Sequence, residues 1–327
     1  MAKSSKAGGG DIRVGISGWT YPPWRGTFYP AKLAQKNELA YASAMLPSIE
    51  INGTFYGLQR PKSFAAWHEQ TPAGFVFSVK ASRYITHLRR LREIETPLAN
   101  FLLSGLLRLN EKLGPILWQF PPNFQFKPEL FEAFLALLPA TTLEATKLLK
   151  HCDERMKGRT WAEIDKDRRL RHAVEIRHES FANEAFVGLL RKYGVALVSA
   201  DTAGKWPMLH DVTADFVYVR LHGAEELYAS GYTEKALEAW AEKIRAWSRG
   251  GDAEGAERIG PPAAKRAARD VYVYFDNDVK VRSPFDAARL AVKLGLRERG
   301  LEEGEHAAVK KIPRPEWPAA GGVRGRK

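Results

Sequence analysis

The sequence predicts a single TIM-type (β/α)8 barrel domain with flexible termini, and three observations carry that expectation. Eight short apolar runs rich in β-branched residues alternate with helical stretches over roughly 290 residues, the pattern of parallel strands covered on both faces and joined by crossover helices. Most of these runs end in polar or charged side chains, and in such a barrel the carboxyl ends of the strands converge on one functional face. A chain of 327 residues, 45% of them hydrophobic, is also long enough to build one large core.

Residues 1–10, composed of Ala, Lys, Ser and Gly after Met1, read as disordered, and the barrel is expected over 11–299. The first strand, Ile12–Ile16, runs into an aromatic loop holding Trp19, Tyr21, Trp24, Phe28 and Tyr29 among prolines and Gly26. That loop is too rich in breakers for a helix; it either plugs one end of the core or stacks a base or a sugar. A helix near 33–46 leads to the strand Ile49–Asn52, a helix over 61–70 leads to the strand ending at Lys80, and a helix over 98–112 leads to the strand ending at Gln119. Helices near 128–138 and 142–155 follow, then a charged excursion at 155–171 expected to be exposed.

The strand at 173–177 begins as packing residues and ends as Glu175, Arg177 and His178. A helix over 181–192, the strand ending at Asp201, the strand ending at Arg220 and His222, and a helix over 233–247 come next. Residues 249–269, rich in Gly, Ala, Pro, Lys and Arg, read as a flexible insertion. The last strand ends at Asp276-Asn277-Asp278, Ser283-Pro284 opens the last helix in the manner of a capping serine followed by proline, and 300–327 read as a basic, disordered tail.

Fifty Lys and Arg against 38 Asp and Glu give a formal net charge of +12, which favours phosphorylated or polyanionic partners. Cys152 is the only cysteine, so an intrachain disulfide and a cysteine-based zinc site are excluded. No run approaches the ~20 apolar residues of a spanning helix, and no signal peptide is evident. A cytoplasmic protein without a membrane partner is the expectation. The cofactor and oligomeric state are not legible.

Self-sufficient motifs are lacking. Asp276-Asn277-Asp278 starts like a calcium loop, yet Lys280 stands at its fifth position and no glycine follows at the sixth. No phosphate-binding glycine loop, nucleophile elbow or His-Glu-x-x-His is found. What remains is a constellation at strand ends. Glu50, Glu175 and Asp276 are the candidate catalytic residues, because neighbouring carboxylates in a low-dielectric pocket can divide into general acid and base. Lys80, Arg177 and Arg220 suit an anion, with His178, Asp201, His222 and Asn277 as further substrate contacts and Trp19, Tyr21 and Tyr56 as stacking surfaces. The same strand ends allow a buried ion-pair network closing the barrel mouth. Glu175, His178, Asp201, His222 and Asp276 are chemically able to ligate a metal, but eight histidines, of which His178 and His222 lie at strand ends, do not single out a metal site. Arg83, Tyr84, His87, Arg89, Arg90 and Arg92 form a basic stretch just past the Lys80 strand, able to reach a phosphate or to be a solvated face.

Several segments together resemble one family. These are Gly15-Ile16-Ser17-Gly18-Trp19-Thr20-Tyr21, Glu50-Ile51-Asn52-Gly53-Thr54-Phe55-Tyr56, Phe77-Ser78-Val79-Lys80, Gln119-Phe120-Pro121-Pro122, Glu175-Ile176-Arg177-His178, Arg220-Leu221-His222-Gly223 and Tyr274-Phe275-Asp276-Asn277-Asp278. In this order they are similar to the domain of unknown function 72, or YecE-like, family. The resemblance implies a TIM-type barrel and no established reaction. It also implies a barrel similar to the endonuclease IV and xylose isomerase group, so phosphodiester or nucleic-acid binding enters as a fold-level analogy; the histidine-rich zinc cluster of endonuclease IV has too few counterparts here.

Three functions are therefore expected in turn: a barrel that binds a phosphate-bearing small molecule or nucleic acid and acts as a hydrolase; a carbohydrate-active enzyme using Glu50 and Glu175 as paired carboxylates; and a non-catalytic nucleic-acid-binding protein.

Overall fold

The structure, a computed structural model, describes residues 9–223, 227, 231–277, 281–302, 312 and 315–318. Eight parallel strands close into a barrel in chain order: β1 (Ile12–Ser17), β2 (Ser48–Ile51), β3 (Val76–Lys80), β4 (Leu113–Gln119), β5 (His172–Glu175), β6 (Ala196–Asp201), β7 (Phe216–Leu221) and β8 (Asp270–Phe275). Closure runs through β1 and β8, which pair from Ile12 with Val271 to Ile16 with Phe275. Among the described residues the helices are α1 (Glu38–Met45), α2 (Gly53–Tyr56), α3 (Pro61–Gln70), α4 (Glu95–Leu103), α5 (Pro128–Leu137), α6 (Thr142–Thr146), α7 (Glu184–Tyr193), α8 (Glu234–Ser248) and α9 (Ser283–Lys293). The fold class expected from the sequence is the one observed. None of the described helices is long and apolar enough to cross a membrane.

Although the strands read as continuous apolar runs, their two faces differ in chemistry. The outer set (Val14, Ile49, Phe77, Val79, Trp118, Val174, Val219, Val273 and Phe275) joins the large core under the helices. The inner set alternates with it at period two. Tyr218, Tyr272 and Tyr274 with Val76, Leu117, Ala173, Ala196 and Val198 fill the barrel as a separate cluster. Their hydroxyls are satisfied inside: Ser48 Oγ lies 2.8 Å from the Tyr274 hydroxyl, and Ser78 Oγ 2.6 Å from that of Tyr218. Gly15 makes room at this level, since a Cβ there would lie 2.0 Å from the Ser48 carbonyl oxygen.

Several local expectations are corrected. The helix read over 98–112 is two pieces, α4 and a 3₁₀ segment Leu106–Lys112, parted at Gly105, whose φ of 127° no helix accommodates. The stretch 142–155 likewise shortens to α6 and 3₁₀ turns. Ser283 opens α9, but its hydroxyl donates to Asn277 Oδ1 instead of capping the helix. No α-helix joins β6 to β7. Residues 252–263 take up that side instead: Asp211 accepts from the amides of Ile259 and Gly260, and Arg191 of α7 donates to the Pro261 carbonyl. The segment 249–269 is thus irregular but pinned, and so is 155–171, where Trp161 lies under Arg108 and donates its amide to Leu103.

The described part of the tail also differs from the disordered chain expected over 300–327. Trp317 donates its indole N–H to the Ser43 carbonyl and its amide to the Ala73 carbonyl, while Arg13 bridges the Gly74 and Pro318 carbonyls. The tail therefore seals the amino-terminal end of the barrel, opposite the strand carboxyl ends. Gly74 permits this approach: it has φ +73°, and a Cβ would lie 1.9 Å from the Trp317 carbonyl oxygen. Gly74→Ala is expected to cost about 1–3 kcal/mol from the left-handed backbone and the lost docking. Urea unfolding and trypsin susceptibility after Lys311 check it; unchanged stability with a protected tail would contradict the role given to Gly74.

Candidate active site

The top layer inside the barrel is a set of charges gathered from five strands around one guanidinium. Period-two alternation turns Ser17, Glu50, Lys80, Gln119, Glu175 and Arg220 inward at the strand ends, and Asp276 follows directly on β8. Arg220 is 0% exposed, and its N–H groups reach four residues within 3.2 Å and a fifth, Ser17 Oγ, at 3.4 Å. Nε donates to Glu50 Oε2 at 3.1 Å, Nη2 to Glu50 Oε1 at 2.8 Å and to Asp276 Oδ2 at 2.7 Å, and Nη1 to Glu175 Oε2 at 2.7 Å and to His222 Nε2 at 3.2 Å.

Each carboxylate has further partners. Glu50 accepts from the hydroxyls of Ser17 at 2.7 Å and Tyr218 at 2.6 Å; Glu175 accepts from Gln119 Nε2 at 2.8 Å and Arg177 Nε at 3.0 Å. Burial alone would raise the Glu175 carboxyl, but the charges of Arg220, Arg177 and Lys80 outweigh it and hold the group well below the usual carboxylate range. Asp276 follows the same balance: burial pushes it up, and Arg220 with the hydrogen bond from His222 pulls it further down. His222 is lowered by burial and by Arg220 and is therefore neutral; its Nδ1 lies 3.1 Å from Asp276 Oδ2. With Nε2 accepting from Arg220, that geometry places the imidazole proton on Nδ1.

Above this layer opens a cleft of about 640 Å³ lined by Tyr21, Asn52, Phe55, Tyr56, Lys80, Arg83, His87, Gln119, Arg177 and Asp276. Lys80 rises from the end of β3, only 9% exposed, with its ammonium 4.4 Å from the centre of the Phe55 ring and its carbonyl taken by the Thr54 hydroxyl. Burial and the charge of Arg220 bring its pKa down to about 8 against the opposing pull of Asp276, Glu50 and Glu175. His87 sits on a π-helical turn, Tyr84–Leu88, and burial with the charges of Lys80, Arg177 and Arg83 lowers it to about 4. Single π-turns are found often at functional sites. Arg177 stacks over Trp206 at 4.0 Å, and Tyr56, 73% exposed, stands at the rim.

The sequence-based candidates are thus sorted by position. Lys80, Arg177, Asp276, Tyr21 and Tyr56 line the cleft. Glu50, Glu175, Arg220 and His222 lie beneath it, fully buried and bonded to one another. For Arg220 this corrects the expectation of a fork offered to a ligand, because that fork is already filled by the protein's own carboxylates. It equally corrects the paired-carboxylate reading: the guanidinium lies between Glu50 and Glu175, where a glycosidic bond and its water would have to sit. His178 accepts from the Ser180 amide as a local cap, Asp201 accepts from the Tyr232 hydroxyl, and Asn277 ties β8 to α9 through Ser283 and Asp286. Trp19 packs edge-on against Trp67. None of these four lines the cleft.

Of the aromatic loop, Trp24, Phe28 and Tyr29 are buried as a plug, and Tyr21 alone lines the cleft. Asp278 lies outside the described residues. Among those that are described, no three His, Cys, Asp or Glu side chains gather as a metal site. Arg83 and His87, read as part of a basic stretch able to reach a phosphate, line the cleft together with Gln119 at the end of β4, whereas Asn52 and Phe55 belong to it without having been candidates.

Removing the central cation leaves buried carboxylates uncompensated, so Arg220→Met is expected to lose about 3–5 kcal/mol at neutral pH. Because Glu175 and Asp276 are held below their ordinary values, their contribution is complete above about pH 5 and fades as pH falls through the folded pKa values. In the variant the carboxyls regain a proton more readily, and the penalty should shrink towards pH 4. Denaturant midpoints of both proteins at the two pH values check this; an equal or larger penalty in acid would contradict the arrangement.

Comparison with known proteins agrees with this architecture. The family model described as "Protein of unknown function DUF72" matches residues 13–312. The UPF0759 protein YunF of Bacillus subtilis is 32% identical over 124 residues, 36% of this chain and 43% of that protein. The UPF0759 protein YecE of Escherichia coli K12 is 28% identical over 113 residues, 35% and 39% of the two chains. These alignments span about two fifths of the relatives' length. Among solved structures, the DUF72 protein TM1631 of Thermotoga maritima superposes with a TM-score of 0.61 at 24% identity, covering 85% of this chain and 96% of that one. The DUF72 protein EF0366 of Enterococcus faecalis gives 0.62 at 19%, covering 89% and 98%. With the family model matching nearly its whole length and the barrel shared, the chain belongs to the DUF72 family.

Proposed function

We propose that the cleft binds a small phosphate-bearing ligand, held by Arg83 and Arg177 with Lys80 beneath them. The observation that carries this reading is the imbalance of charge between the two layers. Below, the carboxylates are bonded to Arg220; above, Lys80, Arg83 and Arg177 face the cleft, with Asp276 as the one carboxylate lining it among the described residues. A concave site lined by cations and closed on one side by low-dielectric protein concentrates an anion. Tyr21, Phe55 and Tyr56 add apolar surface for the rest of the molecule. Asn52 contributes a side-chain oxygen that has no donor among the described residues, an acceptor suited to a ligand hydroxyl or amine.

The size of the cleft favours a small molecule over a duplex, whose binding needs an extended face. A nucleic acid could present only a terminal phosphate or a single nucleotide here. The basic residues beyond the cleft fit a polymer poorly, since Arg90 is bonded to Asn123 and Arg89 to Glu93.

Titration calorimetry with inorganic pyrophosphate and a nucleoside monophosphate is expected to give one site, weakened about ten- to hundredfold by Arg177→Met and by Arg83→Met. Saturable binding that both variants leave intact would reject the cleft as the anion site. A preference for single-stranded DNA with a steep salt dependence would replace the small ligand by a polymer.

A further inference from the structure

A second feature of the cleft is a lysine buried without a counter-ion. Buried lysines are rare unless paired, yet among the described residues the Lys80 ammonium makes no hydrogen bond and no ion pair within 4.0 Å; its near neighbour is the face of Phe55. Glu50, Glu175 and Asp276, the carboxylates of the same strand ends, are all bonded to Arg220 and its neighbours. The cluster thus places a cation next to Lys80 and leaves its amine facing the cleft.

We propose that Lys80 is a nucleophilic catalytic residue, which forms an iminium with an aldehyde or ketone bound in the cleft. The inference deepens the anion-binding reading, on which it rests for the placing of the ligand, by adding a carbonyl to that ligand. A lysine becomes nucleophilic when it is desolvated and set beside another cation, and both conditions are met here by burial and Arg220. The charged groups around it are Arg220 on β7, Glu50 on β2, Glu175 on β5 and Asp276 beyond β8, with Arg83 and Arg177 in the same cleft and the neutral His87 on the π-turn. With its pKa brought to about 8, a far larger share of the amine is neutral at physiological pH than for a surface lysine.

In the first step the Nζ lone pair forms the C–N bond while the carbonyl π pair moves to oxygen, and the proton lost by nitrogen ends on that oxygen. Solvent in the open cleft carries it, since His87, lowered to about 4, is too weak a base to do so. The carbinolamine then takes one proton from solvent and expels water as the nitrogen lone pair forms the C=N bond, leaving an iminium.

Reductive trapping tests this. The whole chain is incubated with cyanoborohydride and either glycolaldehyde phosphate or glycolaldehyde, and the adduct is located by peptide mass mapping. Apart from the N-terminal amine, Lys80 is expected to be labelled at least roughly tenfold faster than other lysines at pH 7, with a rate rising to a midpoint near pH 8. Lys80→Arg should lose that adduct and keep the rest of the labelling pattern. Faster trapping of the phosphorylated aldehyde supports both readings. Equal trapping of the two aldehydes on Lys80 upholds the nucleophile and rejects the anion site. Lys80 labelled no faster than surface lysines, in protein that still binds pyrophosphate, overturns the nucleophile and leaves the anion site standing.

Discussion

The bonds between Arg220 and the carboxylates of Glu50, Glu175 and Asp276 are the constraint on which the rest of the barrel mouth depends. Each carboxylate stands at the end of a different strand, and taking even one of them out of water costs several kcal/mol unless a cation and further hydrogen bonds compensate. One guanidinium meets three of them because its planar fork offers five N–H groups at fixed angles. Lysine, with a compact ammonium on a flexible stem, could not span the same set. The hydroxyls of Ser17 and Tyr218, the amide of Gln119 and the Nε of Arg177 complete the acceptor sites that Arg220 leaves over.

That lower layer determines what the upper one can do. Since the carboxylates are bonded inward, the cleft above presents mainly cations, and burial together with the Arg220 charge holds Lys80 at a lowered proton affinity, with no carboxylate partner among the described residues. His87 stays neutral through its own burial and the charges of Lys80, Arg177 and Arg83.

Much of the fold was legible in the sequence because hydrophobic runs and their spacing are local. All eight strands appear where apolar runs were read, with edges moved by at most three residues. The pinned segment 252–263 was not legible, because Asp211 fixes Ile259 and Gly260 from 48 and 49 positions away. The site divides in the same way. That Glu50, Lys80, Glu175, Arg220 and Asp276 stand at strand ends could be read from the chain, and an ion-pair network was one of the two outcomes weighed. Which of them are bonded to one another could not, since Arg220 lies 170 residues from Glu50 and 45 from Glu175. The aromatic loop shows the limit most plainly: Trp19, Tyr21 and Trp24 lie within six residues, yet one packs on Trp67, one lines the cleft and one is core.

The central claim is that the anion site is made by the upper cations alone, with Arg220 wholly committed to the protein. A crystal structure of the chain soaked in phosphate tests it most directly. The account expects an anion between Arg83, Arg177 and Lys80, with Glu50, Glu175 and Asp276 still bonded to Arg220. An anion on the Arg220 guanidinium, with Glu50 or Glu175 displaced from it, would contradict the account.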